Sequence, residues 1–483
     1  MRSFLLAFTL CTFCFSSTAQ FSFSDSSVTM RIKRDIYTLA SDSFLGREAG
    51  TEGEKKAYTY IISRFKEAGV PPLSGNNYLQ PFTTGHMKFT TPPYLIAGGR
   101  SFEWREDFGL CAYSANDSVS SLWADAGFGL VIPADGIDSY KDIPAVSGKI
   151  VLINLGTPAG ISKEHLRGAG LAPAVRIADA VIKGASGVIL YNGLGDENSR
   201  LFDFSKSDSV SIPVMYAKTG VIDFVKKHPG EPVIMAAHLE RIRNTYTNVC
   251  AYINNGAART IILGGHYDHL GKSQEPRYNG AYCVGADDNA SGTAGILELS
   301  RYYSAHKDPL NNYLFILFSA EEKGLFGSEY FVRQMRRGMK DSINFMLNFD
   351  MIGRLGCQGL QLTAEATGSS PDWPKLYREV KHPAFSLEKV IASLPFSDQD
   401  AFYNAGIPVL YLNTGLHDRY HTPLDKPETI NYTGITEILK YSEDLVGRAG
   451  SGERARYRKV PGLILDFEMA GFILSYIGEQ LSF

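Results

Sequence analysis

Residues 311–331 read NNYLFILFSAEEKGLFGSEYF. The unbroken apolar run Tyr313–Phe318 reads as a fully buried strand, of the kind found inside a parallel sheet. Two adjacent carboxylates, Glu321 and Glu322, follow at its end. Like charges at the edge of a core are unfavourable unless something positive holds them. The stretch therefore predicts a sheet with both faces covered and a cation at its edge.

The surrounding sequence repeats the pattern. From TNVCAYI (247–253) onward, short apolar strands alternate with helical segments: RTIILGGHYDHLG, GTAGILELSRYYS, YLFILFSAEE, GSEYFVRQMRRG, INFMLNFDMIG and IPVLYLNTG. That alternation predicts an α/β domain with a largely parallel sheet. Upstream, residues 28–69 suggest two helices around a Gly-rich turn. In the second, Ala57, Tyr60, Ile61 and Phe65 recur at helical spacing, and Gly69 is the stop. Residues 86–243 differ in character. They hold the strand-like segments GKIVLINLG (148–156), SGVILYNG (186–193) and IPVMYAK (212–218), with one helix, AVRIADAVIKGA, between the first two. This reads as a small β-rich domain without a dense cluster of potential ligands.

Composition bounds the function. The chain has 483 residues, enough for two or three domains, and a formal net charge of −3 gives no basic face for nucleic acid. The first 19 residues read as a secretory signal: Arg2 precedes an apolar stretch over 4–15, and Ser17 and Ala19 suit cleavage. Elsewhere no apolar run approaches the ~20 residues of a membrane span. Beyond the signal, Cys111, Cys250, Cys283 and Cys357 are far apart without CxxC spacing, and read as buried free thiols.

The polar residues sit where the strands end. GGHYDHLG delivers His266 and Asp268, which face the same side of an extended chain, so Asp268 can orient His266 or sit beside it. VGADDNASG places Asp287 and Asp288 in a Gly-bounded turn before a helix. NFDMIG supplies Asp350 and DRYHTPLD supplies His421. In open α/β sheets, sites form outside the carboxyl ends of the strands, so imidazoles and carboxylates converge on one crevice. Crowded carboxylates repel and take up protons, and divalent metal resolves that conflict. Imidazole and carboxylate ligands suit zinc, with cobalt or manganese as substitutes. One member of the Glu321/Glu322 pair can ligate while the other takes a proton from water. Ions about 3.5–4 Å apart need a bridging carboxylate, which the GADD turn can supply.

At these residues the chain resembles the zinc-dependent exopeptidase family of bacterial double-zinc leucyl aminopeptidases and aminopeptidase Y, relatives of glutamate carboxypeptidase II and the transferrin receptor. GGHYDHLG, GADDNASG, AEEKGLFGS, NFDMIG and YHTPLD stand in family order, and LASDSFLGREAGTEGEKKAYTYI resembles the family's N-terminal segment. The resemblance implies an α/β fold: a mixed, largely parallel sheet flanked by helices with an inserted β-rich domain. It implies a signal peptide (1–19), an N-terminal part of the peptidase domain (20–85), an inserted protease-associated domain (86–243), a catalytic zinc peptidase domain (244–447) and a C-terminal extension (448–483). It implies two zinc ions, one on His266 and Asp350, the other on Glu322 and His421, with Asp287 bridging both. Glu321 would be the general base and acid, and Asp268 the partner fixing the His266 tautomer. A cis peptide would follow the bridging aspartate, at Asp287–Asp288. PFSDQDAF carries Gln399 where many relatives have histidine. The implied function is an exported (periplasmic or extracellular) zinc metallo-aminopeptidase, a hydrolase removing N-terminal residues from peptides through a water activated by two metals. The alternatives are a carboxypeptidase of the same fold, with Arg354 a candidate for the substrate carboxylate, and a single-zinc acyltransferase like glutaminyl cyclase. A non-enzymatic binding protein would be expected to have lost ligands.

Overall fold

The computed structural model describes residues 26–461 except 105, 112–113, 134–135, 157–172, 192–209, 274, 357–358, 381 and 383. The secretory signal (1–19), Cys357 and the tail from 462 onward lie outside the described residues. Two helices open the chain, Ser26–Leu39 and Glu52–Glu67. Thr51 caps the second by accepting the Gly53 N–H. The expected helical face holds: Ala57, Ile61 and Phe65 are buried, and Tyr60 donates to Asp35 at 2.7 Å.

A ten-stranded mixed sheet organises the molecule. Its centre is parallel, in the spatial order Val409–Asn413, Ile343–Phe349, Arg259–His266 and Asn311–Phe318. Every residue of Asn311–Phe318 is buried, because apolar layers cover both faces. On one face, Ile261, Leu263, Phe315 and Leu317 join a core with the two N-terminal helices, the helix Gly292–Ala305 and the helix Tyr432–Ser451. On the other, Ile262, Leu314, Ile316 and Phe318 pack with Phe331 and Phe402. Antiparallel strands flank the parallel centre: Gln361–Glu365 beside Val409–Asn413, and Val233–Ile253 beside Asn311–Phe318.

The insert folds around its own five-stranded sheet, in the spatial order Phe108–Leu110, Val214–Ala217, Gly187–Tyr191, Ile150–Asn154 and Trp123–Asp125. The three strand-like segments of the sequence all lie in it. Its boundaries differ from expectation. Residues 86 and 243 fall inside two long strands, Leu79–Ala97 and Val233–Ile253, which pair antiparallel from Leu79↔Val249 to Ala97↔Val233. The chain thus enters and leaves the insert on a ribbon continuous with the large sheet. Paired strands satisfy their own backbone groups, and the pairing resumes at Tyr94↔Ala236 after register shifts on either side of Thr91. The C-terminal boundary also shifts, since the last helix runs to Ser451. Residues beyond it pack onto the body: Ala455 N donates to Asn344 at 2.8 Å and Val460 N to the Tyr403 hydroxyl at 2.7 Å.

Cys250 and Cys283 are buried free thiols, and Cys111 is buried. Among the described residues no helix is long and apolar enough to cross a membrane.

Candidate metal centre

The four parallel strands run the same way, so their carboxyl ends open onto one crevice. His266 ends its strand. Glu321 and Glu322 follow Phe318, Asp350 follows Phe349, and His421 lies in the loop after Asn413. Left-handed backbone accompanies three of these turns: Ala320 (φ 57°), Met351 (φ 59°) and His421 (φ 58°). Non-glycine residues in that region cost about 1–3 kcal/mol each and gather at functional sites.

The turn between Cys283 and the helix Gly292–Ala305 brings a carboxylate into the middle. Gly285 adopts φ +53°, and a Cβ there would stand 1.9 Å from the Asp288 carbonyl oxygen, so only glycine fits. The Asp425 carboxylate accepts the N–H of Asp287 at 2.9 Å and of Asp288 at 3.1 Å. Arg47, fully buried, donates to the carbonyls of Tyr267 (2.8 Å), Leu39 (2.9 Å), Val284 (2.6 Å) and Gly285 (2.9 Å). It ties the N-terminal segment, the end of the His266 strand and the turn together. Burial lowers its pKa to about 10, against the raising effect of Asp288 and Asp425.

This geometry corrects the assignment of the shared aspartate. Asp287 points into the protein: Oδ1 accepts the Gly353 N–H at 2.6 Å and the Ser291 hydroxyl at 3.1 Å, and Oδ2 lies 3.3 Å from His417 Nε2. Asp288 faces the crevice instead. Its Oδ1 is 3.3 Å from His266 Nε2 and its Oδ2 is 3.1 Å from His421 Nε2. The cis peptide likewise follows Asp288, at Asp288–Asn289. Neighbouring side chains leave the backbone in different directions, and the Asp425 and Arg47 contacts decide which one looks inward.

The other residues named from the sequence do converge. His266 Nε2 is 3.1 Å from Asp350 Oδ1. His421 Nε2 is 3.1 Å from Glu322 Oε2. Ligand atoms of His266, Glu321 and Asp350 lie within 4.8 Å of one another, as do those of His269, Asp288 and Glu322. Asp268 acts differently from expectation. The His266 Nδ1 contact is to the Asp268 carbonyl (3.2 Å), while the nearest carboxylate oxygen is 3.9 Å away and accepts the Glu321 N–H at 3.2 Å. Asp268 still turns Nε2 of His266 toward the crevice, through its backbone.

The electrostatics suit the binding of a cation. Burial, reinforced by Glu322, Asp350 and Asp398, raises the Glu321 carboxyl well above its ordinary range. Burial raises Asp268 to about 8. Burial alone would lower the two imidazoles, yet Asp350 and Glu321 hold His266 well above its usual value, and Glu322 and Asp288 carry His421 to about 10. Nitrogen and oxygen donors thus stand in two sets, His266–Asp350 and His421–Glu322. The two oxygens of Asp288 are divided between them. Such donor sets suit divalent metal of zinc type.

Several participants escaped sequence reasoning. His269 stands 2.6 Å from Glu322. It follows the strand end, where side-chain alternation no longer says which way a residue points. Tyr420 stacks on His421 with centroids 3.7 Å apart, and burial beside Asp288 and both glutamates raises its hydroxyl well above the usual range. Gln399 is structural: its Nε2 donates to the Leu394 carbonyl at 2.8 Å and its Oε1 accepts from Asn348 at 3.2 Å. Asp400 accepts from Asn404 at 2.9 Å on the outer side of the helix Gln399–Asn404. Arg354, the carboxylate-binding candidate, is buried and donates to the Thr429 carbonyl at 2.7 Å.

Residues 248–446 match the model of peptidase family M28. The segment is a family M28 peptidase domain. All the crevice residues named above except Arg47 fall within it. The chain is 27% identical over 349 residues to an aminopeptidase of Pseudomonas aeruginosa (strain UCBPP-PA14), covering 68% of this chain and 58% of that protein's length. It is 26% identical over 460 residues to leucine aminopeptidase 2 of Trichophyton rubrum, covering 86% of this chain and 85% of that one. The solved aminopeptidase from Aneurinibacillus sp. strain AM-1 superposes with a TM-score of 0.63 at 23% identity, over 90% of this chain and 97% of its own. That likeness concerns the fold, so the M28 domain here has the architecture its sequence implied.

Proposed function

We propose that the protein is an exported zinc-dependent aminopeptidase that releases N-terminal residues from peptides. The observation that carries the reading is the division of the Asp288 oxygens between two imidazole–carboxylate sets, with Glu321 beside them. His266, Asp350 and Asp288 would hold one zinc ion; His421, Glu322 and Asp288 the other. Zinc bound there would polarise the scissile carbonyl and lower the pKa of water at the site. Glu321 takes the water's proton and passes it to the leaving amine. Burial pushes its carboxyl above the ordinary range, which suits the proton-accepting half of that role. The Asp268 carboxylate holds Glu321 by accepting the Glu321 backbone N–H, and the Asp268 carbonyl holds His266. The surrounding carboxylates would also bind a substrate's free amino group, which restricts action to chain ends. The similarity to two proteins named aminopeptidase supports the same reading.

We read the five-stranded unit as a protease-associated domain governing access or substrate choice, since it supplies no donor to either set among the described residues. Export rests on the N-terminal sequence alone.

The test is a panel of aminoacyl, N-acetylated aminoacyl, C-terminal and N-terminal glutaminyl substrates, assayed with the zinc-loaded full chain and after chelation. Cleavage of free aminoacyl substrates, abolished by chelation and by N-acetylation, is expected. Preferential release of C-terminal residues, or cyclisation of glutaminyl peptides without hydrolysis, overturns it.

A further inference from the structure

His269 has no role in the reaction described above, yet it sits among the groups that do. Its side chain is fully buried. A Cβ on Gly285 would come within 2.6 Å of its ring, so glycine at that position leaves the ring its place. Its N–H faces the Arg47 carbonyl at 3.3 Å, tying its backbone to the N-terminal segment. The ring is therefore fixed from behind.

In front, Nδ1 lies 2.6 Å from Glu322 Oε1 and 3.7 Å from Asp288 Oδ2. Nε2 is buried without a hydrogen-bond partner. An ionised carboxylate can only accept, so the short contact places a proton on Nδ1. In the neutral ring Nε2 then carries only a lone pair, and no buried N–H is left unpaired. The two oxygens of Glu322 consequently have different occupations. Oε1 receives the His269 N–H. Oε2 faces His421 Nε2 at 3.1 Å, the same nitrogen that stands 3.1 Å from Asp288 Oδ2.

We propose that His269 is a positioning residue that reserves Glu322 Oε1 for itself and presents Oε2 alone to the second metal ion. Without this hydrogen bond, the glutamate can turn about its side-chain torsions and lose the orientation that pairs Oε2 with His421 and Asp288. Groups that orient metal ligands in this way typically contribute 10–100-fold in metal affinity. Holding Glu322 to one oxygen also leaves room at the second ion for a substrate atom. The proposal rests on the two-ion reading above.

Two variants separate the hydrogen bond from mere bulk. In His269→Asn the side-chain amide nitrogen stands where Nδ1 stood; in His269→Gln it is displaced toward the position of Nε2. The full-length protein, stripped of metal, is titrated with zinc against a chromophoric chelator at fixed pH. Melting of each metal-free variant is recorded alongside to confirm folding, and the cobalt-substituted visible spectrum reports the second site. The wild type is expected to take two equivalents. His269→Gln should bind one ion as the wild type does and the other about 10–100-fold more weakly, with an altered cobalt spectrum. His269→Asn should recover most of that loss. Unchanged affinities in folded His269→Gln would overturn the proposal and leave the two-ion reading standing. Equal weakness in folded Asn and Gln variants would also overturn it, since the imidazole would then be a ligand itself. A wild type that takes one equivalent removes the two-ion reading and this proposal with it.

Discussion

Exchanging each aspartate of the pair 287–288 for asparagine tests the placement that the tertiary structure made against expectation. Asp288 offers one oxygen to each imidazole set, at 3.3 Å from His266 and 3.1 Å from His421. In Asp288→Asn both ions lose their shared anionic donor. Taking as a floor the 10–100-fold that loss of even an outlying partner costs one ion, occupancy of the pair at limiting zinc falls by about 10²–10⁴-fold. Turnover should follow. Asp287→Asn perturbs a different environment. An amide oxygen can keep the Gly353 N–H and Ser291 contacts, but its NH₂ must then face His417 where a carboxylate oxygen stood. A mismatched buried polar contact costs about 1–3 kcal/mol, which lowers the melting temperature without removing a metal donor. Zinc content by atomic spectroscopy and thermal melts of both proteins decide the matter. Asp287→Asn should keep two equivalents and melt earlier; Asp288→Asn should lose both. If Asp287→Asn empties the site while Asp288→Asn retains two ions, the reasoning from the turn geometry is refuted.

The glutamates should separate as well. Glu321→Gln should retain zinc and substrate binding while turnover falls about 10²–10⁴-fold; Glu322→Gln should lose zinc affinity, with added zinc restoring some activity. A Glu321→Gln protein without metal would contradict this division. Zinc binding should strengthen with rising pH. Facing carboxylates overcome burial to hold His266 well above its usual pKa and His421 near 10, and an imidazole ligates only after losing its proton. Apparent affinity should therefore climb about tenfold per pH unit for each proton displaced, up to about pH 10, and calorimetry showing a flat profile from pH 6 to 8 would exclude it. Gly285→Ala should reduce soluble, metal-loaded protein, because its Cβ would meet the Asp288 carbonyl at 1.9 Å on a left-handed backbone; normal yield with two zinc ions would show that the turn relaxes freely.

The sequence by itself determined the strands and the edge of the sheet at which the candidate ligands gather. Apolar runs such as Tyr313–Phe318 bury on both faces wherever they sit, and a polar residue directly after one must emerge at its carboxyl end. His266, Glu321, Glu322 and Asp350 were legible for that reason, as was His421 from its motif. Beyond a strand end the side-chain period lapses, and local pattern no longer fixes direction. Asp287 and Asp288 are chemically identical neighbours, and only Asp425, from 137 residues downstream, and Arg47, from 238 residues before Gly285, select the one that faces the crevice. His269 reaches Glu322 across 53 residues of chain, a distance along which no spacing rule operates. The ribbon into the insert stayed hidden because strand pairing is a long-range choice, from Leu79↔Val249 to Ala97↔Val233. Local periodicity fixes what each segment becomes, and long-range hydrogen bonds to buried backbone groups fix which of its side chains meet.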